Sequence, residues 1–273
     1  MRPVADMPEA VAANITVVFA DIDDTLTHEG RLPAESYRAL EELYEAGLVV
    51  APITGRPAGW CDMIARFWPV TGVVGENGAF YFAYEAAAKK MRRVFAASED
   101  ERRSNRERLV AVRNRILTEV PGSAVSADQL YREADLAIDF CEDVEPLGRD
   151  KIARIQAVFE EEGAVAKVSS IHVNGWFGQY DKLSMSRRFA ADVLGLDLDR
   201  DKDRVVYVGD SPNDAPMFGF FPNACGVANV LRFKGQLDAE PAYVAAHEGG
   251  KGFVEVAERI LSARKACDIS NLA

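Results

Sequence analysis

The stretch that most limits what this chain can become is Val17-Val18-Phe19-Ala20-Asp21-Ile22-Asp23-Asp24-Thr25-Leu26-Thr27. The apolar run from Ile15 to Ala20 is short, β-branched and aromatic, which suits a strand buried on both faces of a parallel sheet better than a turn of helix. It then stops in acid. Asp21, Asp23 and Asp24 crowd the carboxyl end of the expected strand, the edge on which an open α/β sheet places its ligand crevice. Three carboxylates so close repel one another, and a bound cation is the simplest means of keeping more than one of them ionised.

The residues before this strand, Met1 to about Ala13, read as a polar, loosely held leader. After it, Pro33 sits at a plausible first helical position, and Tyr37, Leu40, Leu43 and Tyr44 recur at helical spacing up to Gly47. Leu48 to Ile53 is a second buried strand closed by Thr54-Gly55-Arg56-Pro57. Trp60 to Phe67 is a helix, and Gly72 to Val74 a short third strand ending in Gly75-Glu76-Asn77-Gly78. Strands alternating with helices imply right-handed crossovers and a parallel sheet, with all strand ends on one edge.

From Phe80 the pattern changes. Phe80 to Tyr84 and Met91 to Phe95 read as a hairpin, and Glu99 to Val120 as a long charged helix. Asp135 to Phe140 alternates in polarity and reads as a half-buried strand. A helix over about Gly148 to Glu162 stops at Gly163, and Val165 to Val173 supplies one or two further strands. The parallel pattern then resumes. Asp181-Lys182-Leu183-Ser184 opens a helix through Phe189 to Leu194, closed by Gly195; Arg204 to Val208 is a buried strand ending at Gly209-Asp210-Ser211-Pro212-Asn213-Asp214; Ala224 to Ala228 and Ala242 to Ala245 are short strands; and Gly249-Gly250-Lys251-Gly252 leads into a helix from Phe253 to Ala263. The expected fold is α/β: a Rossmann-like three-layer core with a parallel sheet (residues 1–82 and 179–273) and an inserted α+β cap with an antiparallel sheet (83–178).

Composition narrows the partners. A chain of 273 residues, 48% hydrophobic, can bury a full core. Its formal net charge of −11 argues against nucleic acid or an anionic membrane as a general partner, because both demand clustered Lys and Arg. Cys61, Cys141, Cys225 and Cys267 show no zinc or disulfide spacing, which fits a reducing cytoplasm. No export leader or membrane span is read. A monomer and a homodimer both fit this composition.

On these residues the chain resembles the haloacid dehalogenase superfamily of phosphatases. Its four signature elements stand in order: Asp21-Ile22-Asp23-Asp24-Thr25, Thr54-Gly55-Arg56, Lys182, and Gly209-Asp210-Ser211-Pro212-Asn213-Asp214. The strand-rich insert between the second and third resembles the C2-type cap, type B. Asn77-Gly78 and Gly249-Gly250-Lys251-Gly252 resemble the Cof-like and sucrose-phosphatase-like branch. One departure is Asp24, where many relatives in that branch have Gly.

A phosphate ester repels nucleophiles with its own charge, so a catalyst must neutralise its oxygens and position an in-line attacker. Asp21 is expected to be the nucleophile, forming an aspartyl-phosphate. Asp23, two residues on, suits the general acid and then base; the resemblance implies the same two roles. Magnesium is expected on the Asp21 carboxylate, the Asp23 carbonyl and Asp210, with Asn213 and Asp214 supporting, a hard-oxygen set of the kind that ion prefers. Thr54 and the Gly55 amide would bind the phosphoryl group and Lys182 would offset its charge, while Arg56 and Asn77 could touch substrate.

Each fragment alone is ordinary: an Asp-rich loop is usually a cap or turn, and a Lys opening a helix is usually solvated. The conjunction of four elements in order, three directly after buried strands, is what carries the reading. His28, His172 and His247 have no partners at metal or triad spacing and read as structural, Glu99 to Arg108 as a solvated helix face, and Trp176 and Phe177 as core or as lining of the substrate entrance, core being preferred. The expected function is a magnesium-dependent phosphomonoesterase for a small phosphorylated metabolite such as a sugar phosphate. Its rivals are a phosphomutase of the phosphomannomutase type, faintly suggested by Gly175-Trp176 before Lys182, and a non-catalytic sensor of phosphorylated metabolites.

Overall fold

A computed structural model describes residues 1–169 and 171–272; Ser170, inside the segment expected to give one or two strands, and Ala273, the last residue of the expected core, lie outside the described residues. In chain order the first part contains β1 (Arg2–Pro3), α1 (Glu9–Asn14), β2 (Val17–Ala20), α2 (Ala34–Glu45), β3 (Val49–Pro52), α3 (Ala58–Phe67), β4 (Val73–Gly75), β5 (Phe80–Glu85) and β6 (Lys90–Phe95). The middle part contains α4 (Glu99–Glu119), β7 (Ala124–Val125), β8 (Leu136–Asp139), α5 (Arg149–Glu161), β9 (Val165–Val168) and β10 (His172–Trp176). The return contains α6 (Lys182–Phe189), α7 (Leu198–Asp201), β11 (Val205–Gly209), α8 (Ala215–Phe220), β12 (Cys225–Gly226), β13 (Tyr243–Val244) and α9 (Gly249–Leu272).

Among the described residues, the main sheet runs β1-β13-β12-β11-β2-β3 and every pair in it is parallel. Alternation along β2 explains why it sits in the middle of three layers. Val18 and Ala20 face a core built with Leu40, Val256 and Ile260 from α2 and α9, whereas Val17 and Phe19 face another built with Met185, Phe189 and Met217 from α6 and α8. With both faces covered, all four residues of β2 are buried, as an apolar run without polar alternation requires. No helix of the described residues is long and apolar enough to cross a membrane.

The middle part has its own sheet, β7-β8-β10-β9, with antiparallel pairing throughout. One face packs Leu136, Ile138 and Val173 against Val112 and Ile116 of α4 and Val158 and Phe159 of α5. The other face looks toward the carboxyl edge of the main sheet. The segment expected to be half-buried is therefore buried on both sides, with Asp135, Ala137 and Asp139 at 3%, 0% and 1% exposure, because its polar face is a contact between the two parts rather than a solvent face. The Phe80–Phe95 hairpin pairs through β5 with β4, and Val74 of β4 bridges Ile53, so the hairpin extends the first part of the chain.

Three further readings change. Residues 1–13 are not a loose leader: β1 pairs with β13, and Val4, Met7 and Ala12 are buried, with α1 lying along α9. Three scattered apolar residues are too few to show periodicity, yet they suffice once a helix is there to receive them. The Gly72–Val74 strand does form, as Val73–Gly75, but it pairs antiparallel with β5 and meets the parallel sheet through a single-residue parallel bridge of Val74 to Ile53 and the Thr71 N–H bond to the Val50 carbonyl. Helix α9 begins earlier than Phe253 and takes in the glycines, because a Cβ at Gly249, whose φ is +53°, would come 2.5 Å from the Thr27 carbonyl oxygen. Trp176 and Phe177 are core, at 1% and 5% exposure.

Candidate active site

The carboxyl ends of β2 and β11 lie side by side, and their acids converge. Asp21 follows β2 directly, its N–H donating to the Val208 carbonyl at 2.9 Å. Asp210 follows β11, and the short 3-10 turn Pro212–Asp214 brings Asp214 back so that its Oδ2 accepts the Asp210 N–H at 3.0 Å. Carboxylate oxygens of Asp21, Asp210 and Asp214 all lie within 4.8 Å of one another, and all three residues are buried.

Lys182 meets this cluster from α6. Asp181 caps that helix, accepting the Ser184 N–H at 2.7 Å, and so sets the first helical residue against the strand ends. Gly78 makes room for the approach: at φ +106°, a Cβ there would lie 2.0 Å from the Asp181 carbonyl oxygen. Lys182 Nζ donates to Asp21 Oδ1 at 2.9 Å and to Asp214 Oδ1 at 2.8 Å. Tyr207 O–H also donates to Asp214, leaving both oxygens of that carboxylate engaged by protein donors.

Burial and like charge govern the ionisation of this group. Burial is the largest influence on Asp21 and pushes it up to about 7, with Lys182 opposing and Asp214 and Asp23 adding to the rise. Asp210 is raised well above the usual carboxylate range by burial and then by Asp214 and Asp21. Lys182 is held charged: burial works against the ammonium, and Asp21 and Asp214 outweigh it. Three buried carboxyl groups beside one lysine resist full ionisation, and a hard divalent cation would relieve that resistance, with Asp21 and Asp210 holding the oxygens least committed to the protein.

Arg56 closes the other side. Its Nε lies 3.0 Å from both oxygens of Asp23 and its Nη2 2.8 Å from Asp23 Oδ1, a forked pairing, while the guanidinium lies 4.5 Å from the Trp60 ring centre. Thr54 is fully buried and its Oγ1 accepts the Arg56 N–H at 3.0 Å. Asn77, at φ +54°, packs its side chain against Gly55. Asn213 accepts a hydrogen bond from Ser211 Oγ at 2.7 Å. A cavity of about 20 Å³ lies here, lined on the core side by Asp21, Asp23, Gly55, Arg56, Ser211 and Asn213. Thr54, Asn77 and Lys182 do not line it. Its volume matches a water molecule and not a metabolite.

The opposite wall was not found by sequence reasoning. Arg132, Ser169, Ile171, His172 and Asn174 line the cavity from the inserted part. His172, read above as structural, is in contact across the cavity wall: its Nε2 lies 2.9 Å from Glu142 Oε2, and Glu142 Oε1 accepts from Arg56 Nη2 at 3.0 Å. Arg132 is held by Asp128 and Asp135 and donates to the Gly55 carbonyl at 2.9 Å. Glu76, wholly buried, accepts N–H bonds from Ala58 of the core and from Glu133, Ala134 and Asp135 of the insert. No motif marks these residues. The single available signal was the acidic alternation of Asp135 and Asp139 on the face of β8 that the apolar residues do not use.

No protein-family model matches the chain. No curated protein matches it. Solved structures do. A putative HAD/Cof-like hydrolase from Plasmodium vivax superposes with a TM-score of 0.65 at 17% identity, over 93% of this chain and 99% of that one. A haloacid dehalogenase-like hydrolase from Bacteroides thetaiotaomicron gives 0.62 at 15%, over 90% and 99%. The sucrose-phosphatase of Synechocystis sp. PCC6803, solved with sucrose and phosphate, gives 0.60 at 14%, over 89% and 97%. The fold is therefore that of the haloacid dehalogenase-like hydrolases, both in its parallel core and in its inserted antiparallel unit.

Proposed function

We propose that this chain is a magnesium-dependent phosphatase of the haloacid dehalogenase superfamily, which hydrolyses a phosphomonoester of a small metabolite, a sugar phosphate or similar polyol phosphate. The observation that carries the reading is Lys182 Nζ bridging Asp21 and Asp214 within a buried carboxylate cluster at the carboxyl edge of the sheet. The neighbours' printed functions, including the sucrose-phosphatase, support the substrate class.

In this mechanism an oxygen of Asp21 attacks phosphorus in line, the bond from phosphorus to the ester oxygen breaks, and Asp23 delivers its proton to the departing alkoxide. Asp23 then takes a proton from water, whose oxygen attacks the same phosphorus and releases phosphate with Asp21 restored. Magnesium, held by Asp21, the Asp23 carbonyl and Asp210 with Asn213 and Asp214 in support, would supply charge neutralisation on the phosphoryl oxygens. Lys182 offsets the same charge and holds Asp21 in place. Thr54 and the Gly55 amide would bind the transferring phosphoryl group, and Arg56 and Asn77 keep that loop in shape. Residues 83–178 act as the cap over the core of residues 1–82 and 179–273, excluding bulk water and reading the leaving group.

The acidic net charge supports a partner that is neither nucleic acid nor membrane. The cysteine spacing in the sequence, with no zinc or disulfide pattern, is the ground for reading a cytoplasmic setting. The test is phosphate release from a panel of phosphorylated metabolites, with magnesium and with chelator, by the native chain and by Asp21→Asn. Release that needs magnesium and vanishes in the variant is expected. Isomerised phosphate esters without free phosphate would overturn the reading in favour of a mutase, and no turnover at all would overturn it in favour of a sensor.

A further inference from the structure

We infer that Glu142, on the insert, is a positioning residue for the acid–base step: through Arg56 it sets the direction of the Asp23 carboxyl, so that docking of the insert completes the site. The inference rests on the phosphatase reading above and adds to it a residue that no motif of the sequence marks.

The placement of Glu142 is built, not incidental. It follows β8 on a loop whose backbone is pinned by one buried carboxylate: Asp139 Oδ1 accepts the N–H of Cys141 at 2.9 Å and of Glu142 at 2.8 Å, and Asp139 Oδ2 accepts that of Asp143 at 2.8 Å. Leu147 N–H closes the same loop on the Phe140 carbonyl at 2.9 Å. The side chain is held at Oε1 by Arg56 Nη2 at 3.0 Å, and its Oε2 lies 2.9 Å from His172 Nε2, at ion-pair distance but outside hydrogen-bond geometry. A long glutamate costs rotamer freedom to immobilise, and here each end of it has a partner.

What it holds is the guanidinium that forks onto Asp23. An arginine paired to one carboxylate can swing with that carboxylate as a unit. Arg56 cannot, because Nη2 is shared between Asp23 Oδ1 at 2.8 Å and Glu142, and its guanidinium carbon lies over the Trp60 ring, 4.5 Å from the ring centre. Remove Glu142 and the nearer of two contacts that tie the fork to the insert is gone, leaving Arg56 Nη1 with Asp128 Oδ2 at 3.6 Å, so Asp23 keeps its arginine but loses the partner that shares Nη2. Proton delivery to an alkoxide depends on direction, and departure of a phenolate that needs no proton does not.

The experiment therefore compares leaving groups. Initial rates would be measured on ethyl phosphate, β-glycerophosphate and 4-nitrophenyl phosphate, with magnesium, for the native chain, Glu142→Ala and Glu142→Gln. For Glu142→Ala, kcat/KM is expected to fall about tenfold on both alkyl esters and to stay within about twofold on the aryl ester, a fraction of what a well-placed general acid supplies. Glu142→Gln, whose Oε1 still accepts from Arg56, is expected to recover most of the loss. Equal losses on all three esters would reduce Glu142 to a structural part and overturn the inference. A loss on β-glycerophosphate alone would place Glu142 against the leaving group's hydroxyls and overturn it too. No release from any ester by the native chain would remove the phosphatase reading itself, which is distinct from the other two results.

Discussion

Glu76 and Arg56 both reach from the core to the insert, and they do it with different chemistry. Glu76 is wholly buried and grips backbone: its carboxylate holds Ala58 on the core side and the consecutive N–H groups of Glu133, Ala134 and Asp135 on the insert side. Backbone groups cannot leave such a contact without moving the chain, and Arg132 doubles it by donating to the Gly55 carbonyl. Arg56 meets side chains instead, Asp128 at 3.6 Å and, nearer, Glu142 at 3.0 Å, whose side chain is 31% exposed at the mouth of the site. Water can replace the second bridge cheaply and the first hardly at all. The contrast makes the Glu76 side the one expected to hold, as a hinge, and the Glu142 side the one expected to part first. The cavity of about 20 Å³ adjoins a wider one of about 320 Å³ that also meets Asp23, Arg56 and Ile171 and is lined by Glu142.

The comparison breaks most visibly at Glu76. Glu76→Leu leaves the N–H groups it served without an acceptor and is expected to cost about 3 kcal/mol or more of unfolding free energy, read by urea denaturation, with faster hydrogen exchange at residues 133–135. A cost below about 1 kcal/mol would end its claim to be the hinge. Arg56→Lys comes next. An ammonium cannot fork onto Asp23, so turnover of an alkyl phosphate is expected to fall about 100-fold, with less loss of stability than Glu76→Leu shows in the same denaturation.

Acidity should separate the bridges by sign. Burial, then Asp135, pushes Glu76 from its ordinary 4.5 up to about 8, so its contribution to stability is full below 4.5 and is lost as pH rises through about 8. The His172 ring, with Arg56, holds Glu142 down from 4.5 to about 2 against the opposing effect of burial, so its contribution is present above 4.5 and is lost as pH falls through about 2. Melting temperature measured across pH is expected to fall on the alkaline side in the native chain and to fall less steeply in Glu76→Leu, where the raised Asp21 and Asp210 still remain. The smallest effect is that of Glu142→Gln on stability at neutral pH, expected at under about 1 kcal/mol for a pair so close to solvent. A larger loss by denaturation would mean that the mouth is as firmly fastened as the hinge.

The sequence alone determined the sheet edge and what stands on it. Strands β2, β3 and β11 were legible because strands buried on both faces have no polar alternation, and Asp21, Asp23, Thr54, Gly55, Arg56, Asp210 and Asp214 because each lies within a few residues of where such a strand must end. Lys182 was legible from its helix start and its order in the chain. Local backbone geometry carries all of these, and local geometry is what a sequence displays. Only the tertiary structure decided the other half. Burial of Val4, Met7 and Ala12, the second buried face of β8, and the wall made by Arg132, Ile171, His172 and Asn174 all depend on which surface comes to rest on which. His172 and Glu142 are thirty positions apart, and their 2.9 Å approach follows from antiparallel pairing and a loop pinned by Asp139, neither of which leaves a periodic trace. A residue whose role is to face another domain is chosen for that partner, so its meaning is absent from its own neighbourhood in the chain.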